Sequence, residues 1–98
     1  MRMFLISYDL KIPGRNYDSL YEVLKGALHW WHYLESTWII CTNRTMEDWQ
    51  SRVLNSIDKN DSFMIIDVTG AKRQGWLPQK AWEWLSEKNL EITKGQKH

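Results

Sequence analysis

The sequence predicts an α+β fold, an antiparallel sheet backed by helices, folded as one domain. Three observations predict it. Short runs rich in β-branched and aromatic residues alternate with segments whose apolar residues recur at three- and four-residue spacing. Pro, Gly, Asn and Asp punctuate the joins. The 98 residues have the length of a single domain, with no linker long enough to divide them.

Taken in order, "MFLISYD" (3–9) reads as a first strand, closed by the loop "KIPGRN" with its Pro13-Gly14 pair. Asn16 is a good N-cap for the next segment. There Tyr17, Leu20, Tyr21, Leu24, Ala27 and Leu28 mark one face of an amphipathic helix, with Gly26 loosening its last turn. "HYLE" and "STWIICT" read as extended, either a hairpin or one bent strand, since no Gly, Asn or Pro marks a turn. Thr45, with Asp48 three residues on, starts a second helix, "TMEDWQSRVLNSI", close to a capping box. "DKND" is a turn, "SFMIIDV" a last strand and "TGAKRQG" a loop. Pro78 opens a third helix over about 78–88, and 90–98 form a polar tail that should fray. The order β-α-β-β-α-β plus a helix is the ferredoxin-like plan: a βαββαβ sandwich with an antiparallel sheet and an extra C-terminal helix. The core spans 3–69.

The strand faces carry a further expectation. Phe4, Ile6 and Tyr8 oppose Met3, Leu5 and Ser7; Met64, Ile66 and Val68 oppose Phe63, Ile65 and Asp67. Both sheet faces are therefore apolar, while two helices cover one. A second protomer or the Trp-rich third helix should cover the other.

Composition excludes some classes. Thirteen basic and twelve acidic residues leave a net charge of +1, so no global field advertises a polyanion. One cysteine, Cys41, permits no intrachain disulfide and suits a reducing compartment. No apolar run approaches the ~20 residues of a membrane helix. "MRMFLISYDL" starts like a signal peptide, but Tyr8 and Asp9 follow without a cleavage site. The expectation is a cytoplasmic protein with no membrane partner.

"FLISYDL", with Tyr8-Asp9 closing the first strand, then a helix, then "LESTWIICT" leading into the second helix, resembles the small CRISPR-associated ribonuclease-like proteins. Those are dimeric partners of the spacer-acquisition integrase, and the virulence-associated protein D ribonucleases share their fold. The family's Gln-Ser-Val-Phe-like segment is here the variant Glu35-Ser36-Thr37-Trp38. The resemblance covers residues 3–69. Beyond them the family adds a strand that pairs across its dimer, whereas "GWLPQKAWEWLSEK" reads as helical. The resemblance implies a homodimer that handles RNA or DNA, with Asp9 holding Mg²⁺ or Mn²⁺ near the dimer axis. The implied chemistry is metal-assisted phosphodiester hydrolysis, in which the cation polarises phosphate and lowers the pKa of its water.

Read without the resemblance, Asp9 is a strand-ending aspartate that caps a loop. Asp61, at the start of the last strand, lies near it, and Asp67 at the opposite end. Lys11, Arg15 and Arg44 follow the ends of the first and third strands. With those strands parallel, the three cations gather near Asp9 and grip phosphates, against the bland reading of scattered surface charge. Lys72 and Arg73 form a second basic loop at the far end. His29, His32 and Cys41 match no zinc spacing. Ser36 and Thr37 have no orienting acid. The tryptophans read as mostly core, with some at an interface. The function expected first is a nucleic-acid-handling protein, a metal-dependent endonuclease if catalysis survives. The alternatives are a non-catalytic dimeric binding or assembly module with a protein partner, and a toxin-like ribonuclease of a toxin–antitoxin pair.

Overall fold

The computed structural model describes residues 1–12 and 16–95, with side chains of the last helix through Thr93. The elements run β1 (Arg2–Asp9), α1 (Asp18–Lys25), β2 (His29–Leu34), β3 (Thr37–Thr42), α2 (Met46–Leu54), β4 (Ser62–Asp67) and α3 (Gln79–Gly95). The fold is α+β: one four-stranded antiparallel sheet in the order β2-β3-β1-β4, with three helices. β1 is central, pairing antiparallel with β3 from Arg2↔Thr42 to Ser7↔Thr37 and with β4 from Phe4↔Asp67 to Asp9↔Ser62.

The opening helix starts one residue later than Asn16 alone would place it. Tyr17 is the cap position, and Asn16 instead accepts the Asp18 N–H at 2.8 Å. Thr45 caps α2 as its hydroxyl predicts, accepting the Asp48 N–H at 3.1 Å. The reciprocal half of a capping box does not form. The Asp48 carboxylate is held by Arg44 and Arg52, which push its pKa down despite partial desolvation; the Arg52 hydrogen bond dominates. β2 and β3 form a hairpin across Glu35-Ser36, with an irregularity between Trp31 and Leu34.

The alternation read from the strands places two separate cores. On the first face Phe4, Ile6, Tyr8, Trp38 and Ile40 pack against Leu20, Leu24, Trp49 and Val53 of α1 and α2. On the second face Met3, Trp31, Ile39 and Cys41 pack against Ala81, Leu85 and Ile92 of α3. Burying each large side chain contributes about 1.5–3 kcal/mol, provided polar atoms stay satisfied. The three fully buried indoles meet that condition. Trp31 donates to Ala81 O (3.2 Å), Trp38 to the Tyr8 hydroxyl (3.0 Å) and Trp49 to Thr42 Oγ1 (2.9 Å). His32 stacks on Trp38 at 4.0 Å between centroids; within "HWWHYLESTW" Trp31 and Trp38 are core, whereas Trp30 and Tyr33 are exposed, so the aromatic cluster is half core and half surface.

α3 departs from expectation in length. It runs from Gln79 to Gly95 rather than ending near 88, and Ile92 is buried where a fraying tail was expected. The physical reason is spacing: Ala81, Leu85, Lys88 and Ile92 share one helical stripe, and the sheet beneath them is apolar. Among the described residues no helix is long and apolar enough to cross a membrane.

Candidate functional site

Asp9 closes β1 at the sheet end where the β2–β3 turn also lies, since Tyr8 N–H donates to Ser36 O at 3.0 Å. Its side chain is 65% exposed, and Oδ2 sits 2.6 Å from Lys11 Nζ. That hydrogen bond, and the carboxylate's charge, hold the exposed Lys11 ammonium above its ordinary pKa. Asp61 lies close by, as its place before Ser62 predicts, but it is occupied as a clamp. Oδ1 accepts from Lys11 N–H (2.7 Å) and the Tyr17 hydroxyl (3.0 Å), and Oδ2 accepts from Asp58 N–H (2.8 Å). The clamp ties the chain after β1 to the turn before β4. It therefore fixes the segment that carries Lys11.

Beside Asp9 is a shallow hollow of about 270 Å³ lined by Ser7, Tyr8, Asp9, Ser62, Phe63 and Met64. It opens onto the part of the second face that α3 leaves bare. There Met64 is 55% and Ile66 42% exposed, side by side on an edge strand without a charged side chain between Ser62 and Ile66. Tyr8 beneath is buried, and desolvation raises its phenol pKa. Its hydroxyl donates to Glu35 O at 3.3 Å and receives Trp38 Nε1–H. Tyr8 is thus a structural post for Asp9.

The expected gathering of cations does not occur as drawn. β1 and β3 are antiparallel, with Arg2 opposite Thr42, so Arg44 lies beyond the start of β1, a strand length from Asp9. Its guanidinium is 3.3 Å from Asp48. Lys11 stands at the Asp9 end, and Arg15 lies outside the described residues. Asp67 sits at the far end, as expected, paired with Arg2 at 2.9 Å. His32 lies on the first face and Cys41 on the second, while His29 approaches Glu91 at 3.7 Å. Those three residues form no common site.

Would these residues hold Mg²⁺ or Mn²⁺? A hard divalent ion takes about six oxygens, commonly with more than one carboxylate. Among the described residues no three His, Cys, Asp or Glu side chains converge. Asp9 offers one carboxylate, already bridged to Lys11, and both Asp61 oxygens are engaged. A single chain therefore does not fit the ion, and no reaction step is derived through it.

Sequence reasoning missed the Tyr17–Asp61–Lys11 clamp and the full exposure of Trp76. Tyr17 resembles any apolar helix residue until its hydroxyl finds a partner. Trp76 between Gly75 and Leu77, in a loop with no apolar period, was a readable signal.

No protein-family model matches the chain, and none of the curated proteins does. Among solved structures, the hypothetical protein TT1823 from Thermus thermophilus is similar at 24% identity and a TM-score of 0.58, over 79% of this chain and 94% of that one. The likeness extends the α+β sheet architecture to a second protein.

Proposed function

We propose that this chain is a nucleic-acid-handling protein of the CRISPR-associated ribonuclease-like kind, working as a homodimer. Its plan is taken as ferredoxin-like: read from the β4 edge, the strands run β4-β1-β3-β2, and the elements follow β-α-β-β-α-β before α3. The single observation that carries the reading is the exposed Asp9–Lys11 pair at the rim of the bare strip of Met64 and Ile66. An unprotected apolar edge strand is a surface for pairing. A second copy seated there would bring its own Asp9 toward the first, supplying the further carboxylate that one chain lacks. Mg²⁺ or Mn²⁺ held between two copies and substrate phosphates would make the site a metal-dependent phosphodiesterase for RNA or DNA. Lys11 would meet phosphate. Arg15 and Arg44 remain candidate backbone contacts, Arg44 from the opposite end of the sheet.

A second reading is a non-catalytic dimeric module that binds nucleic acid or a protein partner. Lys11 Nζ at 2.6 Å favours it, because a bound ammonium already neutralises the carboxylate. The toxin-like ribonuclease is a version of the first reading with a different biological setting.

Labelled RNAs and DNAs incubated with wild type and Asp9→Asn, with and without Mg²⁺ or Mn²⁺, test the enzyme. Metal-dependent cutting by wild type alone is the expected result. Equal cutting by both variants removes Asp9 from the site, and no cutting by either leaves the binding module. Sedimentation of Met64→Lys tests the dimer: a folded monomer is expected, and an undiminished dimer places the interface elsewhere.

A further inference from the structure

At the sheet end away from Asp9, the chain between β4 and α3 forms a second surface. β1 separates the two ends by roughly 25 Å. A groove of about 770 Å³ runs between this loop and the first turns of α3, lined by Ala71, Lys72, Arg73, Gln74, Trp82 and Ser86. Gly75 lies against the Trp82 ring. Trp76 follows, and it is 100% exposed, an unusual position for the largest apolar side chain.

Several cations elsewhere are ion-paired, and among the described residues Lys25, Lys59 and Lys80 stand singly without an ion pair, whereas this loop carries two adjacent cations. Arg2, Arg44 and Arg52 each face an aspartate, and Lys11 and Lys88 also face carboxylates. Among the described residues, neither Lys72 nor Arg73 has an ion-pair partner. α3 has no acidic residue in its first turn, so the positive end of its dipole adds to the same field. Gln79 engages Glu83, the nearest carboxylate along the helix, at 3.1 Å.

We propose that this groove binds a single-stranded polynucleotide: Lys72 and Arg73 contact successive phosphates, and Trp76 stacks an unpaired base. Gln74 and Ser86 supply hydrogen-bonding groups along the wall. Unpaired cations in the same loop as an exposed indole are what a strand with accessible base faces requires, and a duplex hides those faces. The inference rests on the nucleic-acid reading above for its ligand class, but on different residues.

The test is fluorescence anisotropy of labelled oligo(U), oligo(dT) and a duplex of equal length, titrated across a salt series. Tighter binding of the single strands is expected, and the two homopolymers separate RNA from DNA. In Lys72→Ala/Arg73→Ala the log–log salt slope should shrink by about 1.4, two phosphate contacts at about 0.7 each. Trp76→Ala should weaken single-strand binding by about 5- to 150-fold, and Trp76→Phe much less. Trp76 touches no core, so a folding defect does not confound it. Lys59→Ala, at an exposed lysine outside the groove, should bind as wild type does. Wild-type affinity and salt slope in the Lys72/Arg73 and Trp76→Ala variants would overturn the proposal, whatever Asp9 does. The groove would then fit a protein partner better. Normal groove behaviour with no cleavage would instead sink only the nuclease reading.

Discussion

The two faces of the sheet are sealed to different degrees. The first is closed by α1 and α2 over a continuous aromatic and aliphatic core. The second is closed by α3 alone, from Met3 and Cys41 as far as Ile39, and Met64 and Ile66 stay in solvent. The difference teaches where stability and where recognition reside. Every exposed group discussed as functional borders the second face or its ends, whereas the first face holds the chain together.

The comparison can be broken most directly at Trp38. Trp38→Ala removes a buried indole and leaves the Tyr8 hydroxyl without its donor, so a loss of about 3–5 kcal/mol is expected in urea unfolding. On the second face Leu85→Ala should cost less, about 2–3 kcal/mol, because one helix is easier to repack than a layer of two. An equal or larger loss there would show that α3 is as integral as α1 and α2.

Smaller effects sharpen the picture at the rims. Thr45→Ala removes the α2 cap and should cost about 1 kcal/mol, read by the same unfolding curves. At the edge of the first face, burial alone would raise the Asp67 pKa. The Thr69 N–H and hydroxyl and the Arg2 guanidinium outweigh it and hold the pKa below the usual carboxylate value. A lowered folded-state pKa contributes stability that is complete above the unfolded pKa and lost as pH falls through the folded one. Stability should therefore decline on acidification below about pH 4, and Asp67→Asn should remove part of that decline. The partly exposed pair limits the effect to below about 1 kcal/mol. An unchanged acid limb in Asp67→Asn would assign the decline to other carboxylates.

Much of this architecture was legible. Alternation in "FLISYD" and "FMIID" marked both apolar faces, and their need for cover anticipated α3. Thr45 announced α2 through a hydroxyl that finds its N–H within one turn. What failed was non-local. The sequence reading puts Arg44 at the Asp9 end because strand direction is not written in a strand's own residues; it follows from which neighbours pair. The sequence reading ends α3 early because "EITKG" is polar and closes on glycine, although Leu85, Lys88 and Ile92 hold helical spacing. At the site, Asp9 and its neighbour Asp61 were readable from position. The clamp that engages Asp61 was not, because Tyr17 and Asp61 are distant in sequence.

Cys41 lies under α3, fully buried, and burial pushes its thiol pKa up to about 11. At neutral pH an alkylating reagent meets neither an accessible sulfur nor a thiolate. Each labelling event must wait for the last helix to lift, and the sequence offers no second cysteine to blur the signal. The wild-type chain thus carries its own single-channel clock. Mass spectrometry of its labelling over time reads how often the second face is laid open, with no mutation needed to install the probe.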